Sequence, residues 1–144
     1  MQITFEMAII AQPITQVELD TFQSNLGYQL PQDYRQHMLT YNGGIVQEYN
    51  NAHISNPEGG DGIAQFYPIK YSTYTLEEIN NDLSNLIPSG YLIIGRTRGG
   101  GEIIISLNND NTYGHTKVWF SDETIKNLSP SFTQLINDQI EQIG

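Results

Sequence analysis

Leu19, Phe22 and Leu26 recur at i, i+3 and i+7, which predicts one buried stripe on a helix. Thr15 and Glu18 ahead of it have the spacing of a capping box, with Ile14 and Leu19 placed as a hydrophobic staple, and Gly27 suits a left-handed stop. A second helix is expected to begin with Pro31 at its first position, where the missing N–H is no loss, and with Asp33 at its positive start. Tyr34, Met38 and Tyr41 share one face, Leu39 lies beside them, and Asn42-Gly43-Gly44 ends the helix. Thr75 and Glu78 repeat the capping box, Tyr74 and Ile79 repeat the staple, and Leu76, Ile79 and Leu83 form the stripe of a third helix. A last helix is predicted with Ser129 as its cap, Pro130 at its first position, and Phe132, Leu135, Ile136, Ile140 and Ile143 on its apolar face.

Elsewhere the pattern changes to that of strands. Ile3, Phe5, Met7 and Ile9 alternate, which fits a short strand, although a helix could use the same residues. Residues 47–62 are polar, Gly-rich and aperiodic and read as a loop, and residues 63–69 form a candidate strand. Tyr91-Leu92-Ile93-Ile94 and Glu102-Ile103-Ile104-Ile105-Ser106-Leu107 flank a Gly-rich link from Gly95 to Gly101, which predicts a hairpin. Residues 116–120, with Val118 and the single tryptophan, Trp119, make a further strand, and residues 88–90 and 108–111 read as turns. Helices, then a run of strands, then a helix predict an α+β fold: a single domain over residues 1–144, with a largely antiparallel sheet and helices packed on one face.

A chain of 144 residues is long enough for one core without staples, and it has no cysteine, which removes disulfides and thiolate zinc sites and fits a reducing compartment. The first residues carry no Lys or Arg, and no apolar run approaches a membrane span, so the expected location is the cytoplasm, with no membrane partner. A net charge of -10 repels phosphate backbones and argues against direct nucleic-acid binding. The charge is uneven: between Arg35 and Arg96 the only Lys or Arg is Lys70, against Glu48, Glu58, Asp61, Glu77, Glu78 and Asp82. Such a stretch is most often solvated surface, and composition alone favours that reading; the sharper one is a surface that steers a basic partner.

Local chemical motifs are missing. His37, His53 and His115 are scattered and share no metal-ligand spacing, so no metal and no cofactor is expected. Gly95 to Gly101 lacks the Lys-Ser/Thr pair of a phosphate loop and is followed by a strand, so a plain hairpin connection is the stronger reading, with Arg96 and Arg98 as loop charges. Glu77 and Glu78 are adjacent on a helix and point in different directions, which makes a poor acid/base pair. No nucleophile motif is present, and a non-enzyme is expected, although a small hydrolase with a dispersed site would leave no local pattern. Of nine tyrosines, Tyr67, Tyr71, Tyr74 and Tyr91 cluster with the acidic middle; tyrosine suits an interface, and equally suits roofing a core with its hydroxyl wet.

Leu26-Gly27-Tyr28-Gln29-Leu30-Pro31-Gln32-Asp33-Tyr34-Arg35, followed by Leu39 and Tyr41-Asn42-Gly43-Gly44, resembles the opening of the SUKH superfamily, which includes the yeast cell-wall-synthesis regulators and bacterial toxin-immunity proteins. Tyr91 to Gly95 with Gly99-Gly100-Gly101-Glu102 is similar to its Gly-containing hairpin, and Ser131 to Ile136 to its closing helix. Arg96-Thr97-Arg98 departs from the acidic or small polar residues often found at that connection. The resemblance spans about residues 15–140 and implies a non-catalytic immunity protein that binds a cognate protein toxin, a basic nuclease domain among the toxin classes; a regulatory adaptor is the alternative. The acidic stretch makes Glu58, Asp61, Glu77 and Asp82 the candidate toxin-binding residues, with Tyr71 and Tyr74 as aromatic anchors. Pro31, Asn42, Gly43, Gly44, Gly95 and Gly100 are expected to be structural.

Overall fold

Among the described residues seven strands pair in the order in which the chain lays them down, each antiparallel to its neighbours. The computed structural model describes residues 6–8, 11–48 and 62–141. Strand β1 (Glu6–Ala8) leads into helices α1 (Gln16–Leu26) and α2 (Gln32–Tyr41). Strands β2 (Gly44–Glu48) and β3 (Ile63–Phe66) precede α3 (Leu76–Asp82). Strands β4 (Tyr91–Thr97), β5 (Glu102–Ser106), β6 (Thr116–Trp119) and β7 (Ile125–Ser129) then run on to α4 (Phe132–Glu141). The α+β class and the antiparallel sheet are as the sequence pattern predicts.

Register explains why the helices lie on one face. Leu92 opposes Ile105, Ile105 opposes Thr116, and Thr116 opposes Ser129, so all four point the same way. Ile103, two residues from Ile105, shares that face and opposes Gly95, which in turn opposes Phe66. Leu92 borders α1 and α3, while the Phe66 ring meets His37 of α2 at 5.0 Å and Phe132 of α4 at 5.2 Å. Leu19, Tyr34, Met38, Leu76, Ile103 and Ile105 are fully enclosed there, and each such aliphatic side chain contributes on the order of 1.5–3 kcal/mol.

Two asparagines complete this layer by standing in for backbone. β3 ends at Phe66, which leaves the outer edge of β4 short of a strand partner at Ile93. Asn80 fills the place: its Nδ2 donates to Ile93 O at 2.9 Å, and its Oδ1 accepts from Ile93 N–H at 2.8 Å. Asn42 does the same for Ile69, donating to its carbonyl at 3.0 Å and accepting from its N–H at 2.8 Å, with a further bond to Gln12 O at 2.9 Å.

Asn42 can do this because it is the left-handed C-cap of α2, at φ 45 and ψ 61. Gly43 follows at φ +98, where a Cβ would lie 2.7 Å from Phe66 O and 2.8 Å from Pro68 N. Gly44, at φ +118, opens β2. Gly95 sits at the bulge in β4, where a Cβ would meet Gln65 O at 2.5 Å. Gly100 lies at φ +92 in the connection after β4.

Several boundaries differ from the sequence expectation. Pro31 is buried but precedes α2, with extended ψ 142, so Gln32 is the first helical residue. The hairpin link is shorter than residues 95–101, because pairing with β3 and β5 carries β4 through Thr97. Residues 47 and 48, read as the start of the loop, belong to β2; residues 49–61 lie outside the described residues. Ser129 ends β7, and its hydroxyl bonds Thr116 Oγ1 and Ser131 O, so it is not a helix cap. Ser131 caps α4 instead, its Oγ accepting from Gln134 N–H at 3.0 Å. Strand β7 has no apolar run to announce it: Lys126 and Asn127 are exposed on the sheet's last strand, as charged or polar residues on an edge often are. In the first predicted strand, Met7 lies in β1, and Ile3, Phe5 and Ile9 fall outside the described residues.

Candidate functional site

Helices α1 and α3 both start from a capping box, and the two boxes fix the walls of a groove. Thr15 N–H donates to Glu18 Oε1 at 2.9 Å while Glu18 N–H donates to Thr15 Oγ1 at 3.1 Å; Thr75 and Glu78 repeat the exchange at 3.3 and 3.2 Å. With its ends fixed, α1 presents Val17, Thr21, Phe22, Asn25 and Leu26, and α3 presents Leu76, Glu77 and Asn80. Ile69, Lys70 and Leu92 complete a concavity of about 540 Å³ with an apolar floor. Val17 is 73 % exposed, which leaves an aliphatic side chain in water at the lip.

The lip is charged and ordered. Lys70 occupies a left-handed conformation, φ +68, next to Ile69, whose backbone is held by Asn42. Its N–H donates to Glu77 Oε1 at 3.1 Å, and its ammonium donates to Glu18 Oε2 at 3.1 Å. The Tyr71 hydroxyl also donates to Glu18 Oε2. This Tyr71 bond, then the Thr15 N–H and the Lys70 ammonium, holds the Glu18 carboxyl down to about 2. Lys70 is raised in turn, chiefly by Glu18. Glu18, Asp20, Glu77, Glu78 and Asp82 therefore stand on two neighbouring helices, with Lys70 paired to Glu18 and Arg35 paired to Asp20 at 2.6 Å.

The family model described as SMI1 / KNR4 family (SUKH-1) matches residues 13–138. The chain belongs to this family. No curated protein matches it. SUKH membership is compatible with an immunity role and with binding of a partner protein.

In this SUKH-1 chain the residues that carry the family resemblance are mostly engaged inside the fold. Asp33 Oδ2 accepts from Thr133 N–H and Oγ1, both at 2.9 Å, which caps α4 from a helix one hundred residues earlier. Arg35 ties α2 to α1 through Asp20 and Gln23. The Tyr34 ring is buried edge-on against Phe132 at 5.3 Å, and burial pushes its hydroxyl well above the usual phenol range. The His37 ring lies among Tyr41, Phe66 and Phe132 with Nε2 2.8 Å from Gly43 O; burial lowers its pKa, and the Gly43 bond opposes that shift.

Of the residues expected to bind a partner, Glu77 lines the groove and Tyr71 adjoins its lip through Glu18. Tyr74 and Asp82 are joined to each other at 2.8 Å and do not line it. Desolvation first, and then Asp82, pushes the Tyr74 hydroxyl up to about 12. Glu58 and Asp61 lie outside the described residues, as does His53. The sequence pattern marks Glu18 only as a capping residue and Phe22 and Leu26 only as part of the core stripe. The only available signal for the groove was the repeated capping box, which implies two helices with fixed starts but not that they are neighbours.

Another charged cluster is on the hairpin. Glu102, buried on β5, accepts from Tyr67 Oη at 2.6 Å and from Arg96 at 3.4 Å. A second concavity, between Tyr28 and Tyr113, has no charged side chain in its lining. Among the described residues no group of three or more His, Cys, Asp or Glu is disposed to hold a metal ion, and no helix is long and apolar enough to cross a membrane.

Proposed function

We propose that this SUKH-1 chain is an immunity protein that binds a cognate bacterial toxin and silences it without catalysis, with the α1–α3 face as the toxin-binding surface. The observation that carries this reading is the apolar groove with ordered carboxylates at its lip: it offers buried area to an anchor and a negative field to a basic approach. A nuclease toxin suits it, because an enzyme that holds phosphates presents Lys and Arg. The cysteine-free composition suits the reducing cytoplasm, where such an inhibitor would protect its own cell.

The test is co-purification with the product of the adjacent gene, followed by association kinetics for a variant with Glu58, Asp61, Glu77 and Asp82 all neutralised. Loss of these charges is expected to slow association by about tenfold or more at low salt and to flatten its salt dependence, with the fold intact. An unchanged rate and salt slope would make the acidic stretch plain solvated surface and move the interface elsewhere, with Arg96 and Arg98 on the hairpin next to be examined.

A further inference from the structure

The two walls of the groove each offer a carboxylate, and a single residue of the chain answers both. Lys70 gives its ammonium to Glu18 of α1 and its backbone N–H to Glu77 of α3, each at 3.1 Å. The two bonds differ in kind. The donor of the backbone bond is set by the chain's path, since Asn42 holds Ile69 and Lys70 follows it in a left-handed conformation. The ammonium bond is made at the end of a flexible stem whose side chain is 57 % exposed.

We propose that Lys70 is a displaceable placeholder: the groove receives a partner segment that sets an apolar side chain against Phe22, Leu26 and Leu76, while an arginine of the same segment takes Glu18 from the Lys70 ammonium. The toxin-binding reading supplies the partner's identity; the groove chemistry is a separate matter. Charge complementarity selects the occupant. Glu18 is an oriented acceptor, because Oε1 is held by the Thr15 N–H and Oε2 by Tyr71, so an incoming donor meets a carboxylate already in position. A guanidinium presents its donors as a planar fork that matches a carboxylate, whereas an ammonium is a strongly hydrated point charge; replacing Lys by Arg therefore improves the pairing. Displacement costs little, because an exposed pair is screened by water. The displaced ammonium also has somewhere to stay, since it already lies 5.0 Å from the centroid of the Tyr71 ring. Release of the ammonium leaves the backbone bond to Glu77 in place, so the groove keeps its shape.

The experiment uses n-hexylguanidinium as the probe, with 1-hexanol and hexanoate as controls, titrated into the full chain and followed by backbone amide NMR. Hexylguanidinium is expected to shift the amides of Val17, Phe22, Leu26, Lys70 and Leu76, to bind more tightly than hexanol, and to bind far more tightly than hexanoate. Lys70→Asn, which suits the left-handed backbone and drops the charge, should tighten hexylguanidinium by about two- to fivefold relative to hexanol. Glu18→Gln, which keeps the capping box, should abolish the preference for the guanidinium over hexanol. Equal binding of hexylguanidinium and hexanol, shifts that map to Tyr28 and Tyr113 instead, or an unaltered guanidinium affinity in Lys70→Asn would each overturn the proposal. A chain that captures the adjacent gene's product yet ignores the probe would keep the proposed function and lose the placeholder. A chain that binds the probe as expected and ignores that product would do the reverse.

Discussion

The turn after α2 and the groove between α1 and α3 both grow from strong local sequence signals, yet one is closed and the other open. At the turn, Asn42 is wholly buried and its side-chain amide makes three bonds to backbone, while Gly43 lies against the chain at Phe66 and Pro68. In the groove, two capping boxes and an apolar stripe leave Val17, Glu18, Lys70 and Glu77 reachable from solvent. The two are also connected: Asn42 grips Ile69, and Ile69 precedes the lysine that reaches both carboxylates. The family motif thus acts at one remove, by fixing the backbone from which the groove's lip is built. Changes at the turn should therefore register as lost stability, and changes at the lip as altered binding.

The sharpest way to break this contrast is Gly43→Val. The left-handed backbone and the close approach of Phe66 O together should cost about 3 kcal/mol, read as a shift in the denaturant midpoint. A Gly43→Val protein of parental stability that no longer bound its partner would place the turn in the interface.

Asn42→Ala comes next. It leaves the Ile69 N–H and C=O without their side-chain partners inside the fold, at about 2 kcal/mol. Hydrogen exchange should show the loss concentrated at Ile69 to Tyr71, with amides on β6 protected as before.

Asp33→Ala should cost about 1 kcal/mol, the usual value of a helix cap, and should fray the first turn of α4 while leaving α2 in place. Exchange at Thr133 and Gln134 is the direct readout. If only α2 loosened, the reach of Asp33 across the fold would be refuted.

The smallest effect belongs to the lip and appears as pH dependence. The Glu18 carboxyl titrates at about 2 in the fold against an ordinary 4.5, so the stability it lends is fully present above about 4.5 and is lost as pH falls toward 2. Glu18→Gln should remove this part of the acid limb of a melting-temperature profile and leave the profile above pH 5 parallel to the parent's. His37 acts in the other region: burial lowers its pKa below the ordinary 6.5, so its share of stability is present above 6.5 and declines as pH falls below it. The Glu18 variant should retain that decline, which separates the two regions in one scan.

The sequence by itself determined the pieces whose causes are local. Capping boxes, the left-handed stop at Gly27 and the apolar stripe of α1 depend on residues within one or two turns, and α1 and α3 start where Thr15 and Thr75 predict. The long β-branched runs of β4 and β5 declared themselves for the same reason. Strand β7 carries no sequence signal because an exposed edge needs no apolar run, and Ser129 does not cap α4 because it is held by a cross-strand bond to Thr116. Tertiary structure alone decided that Asp33 would cap α4, that Asn42 would clamp Ile69, and that Glu18 and Glu77, fifty-nine positions apart, would share Lys70. Those contacts depend on register and helix placement, which arise from packing the helices against the sheet as a whole, and no short window of sequence contains that information.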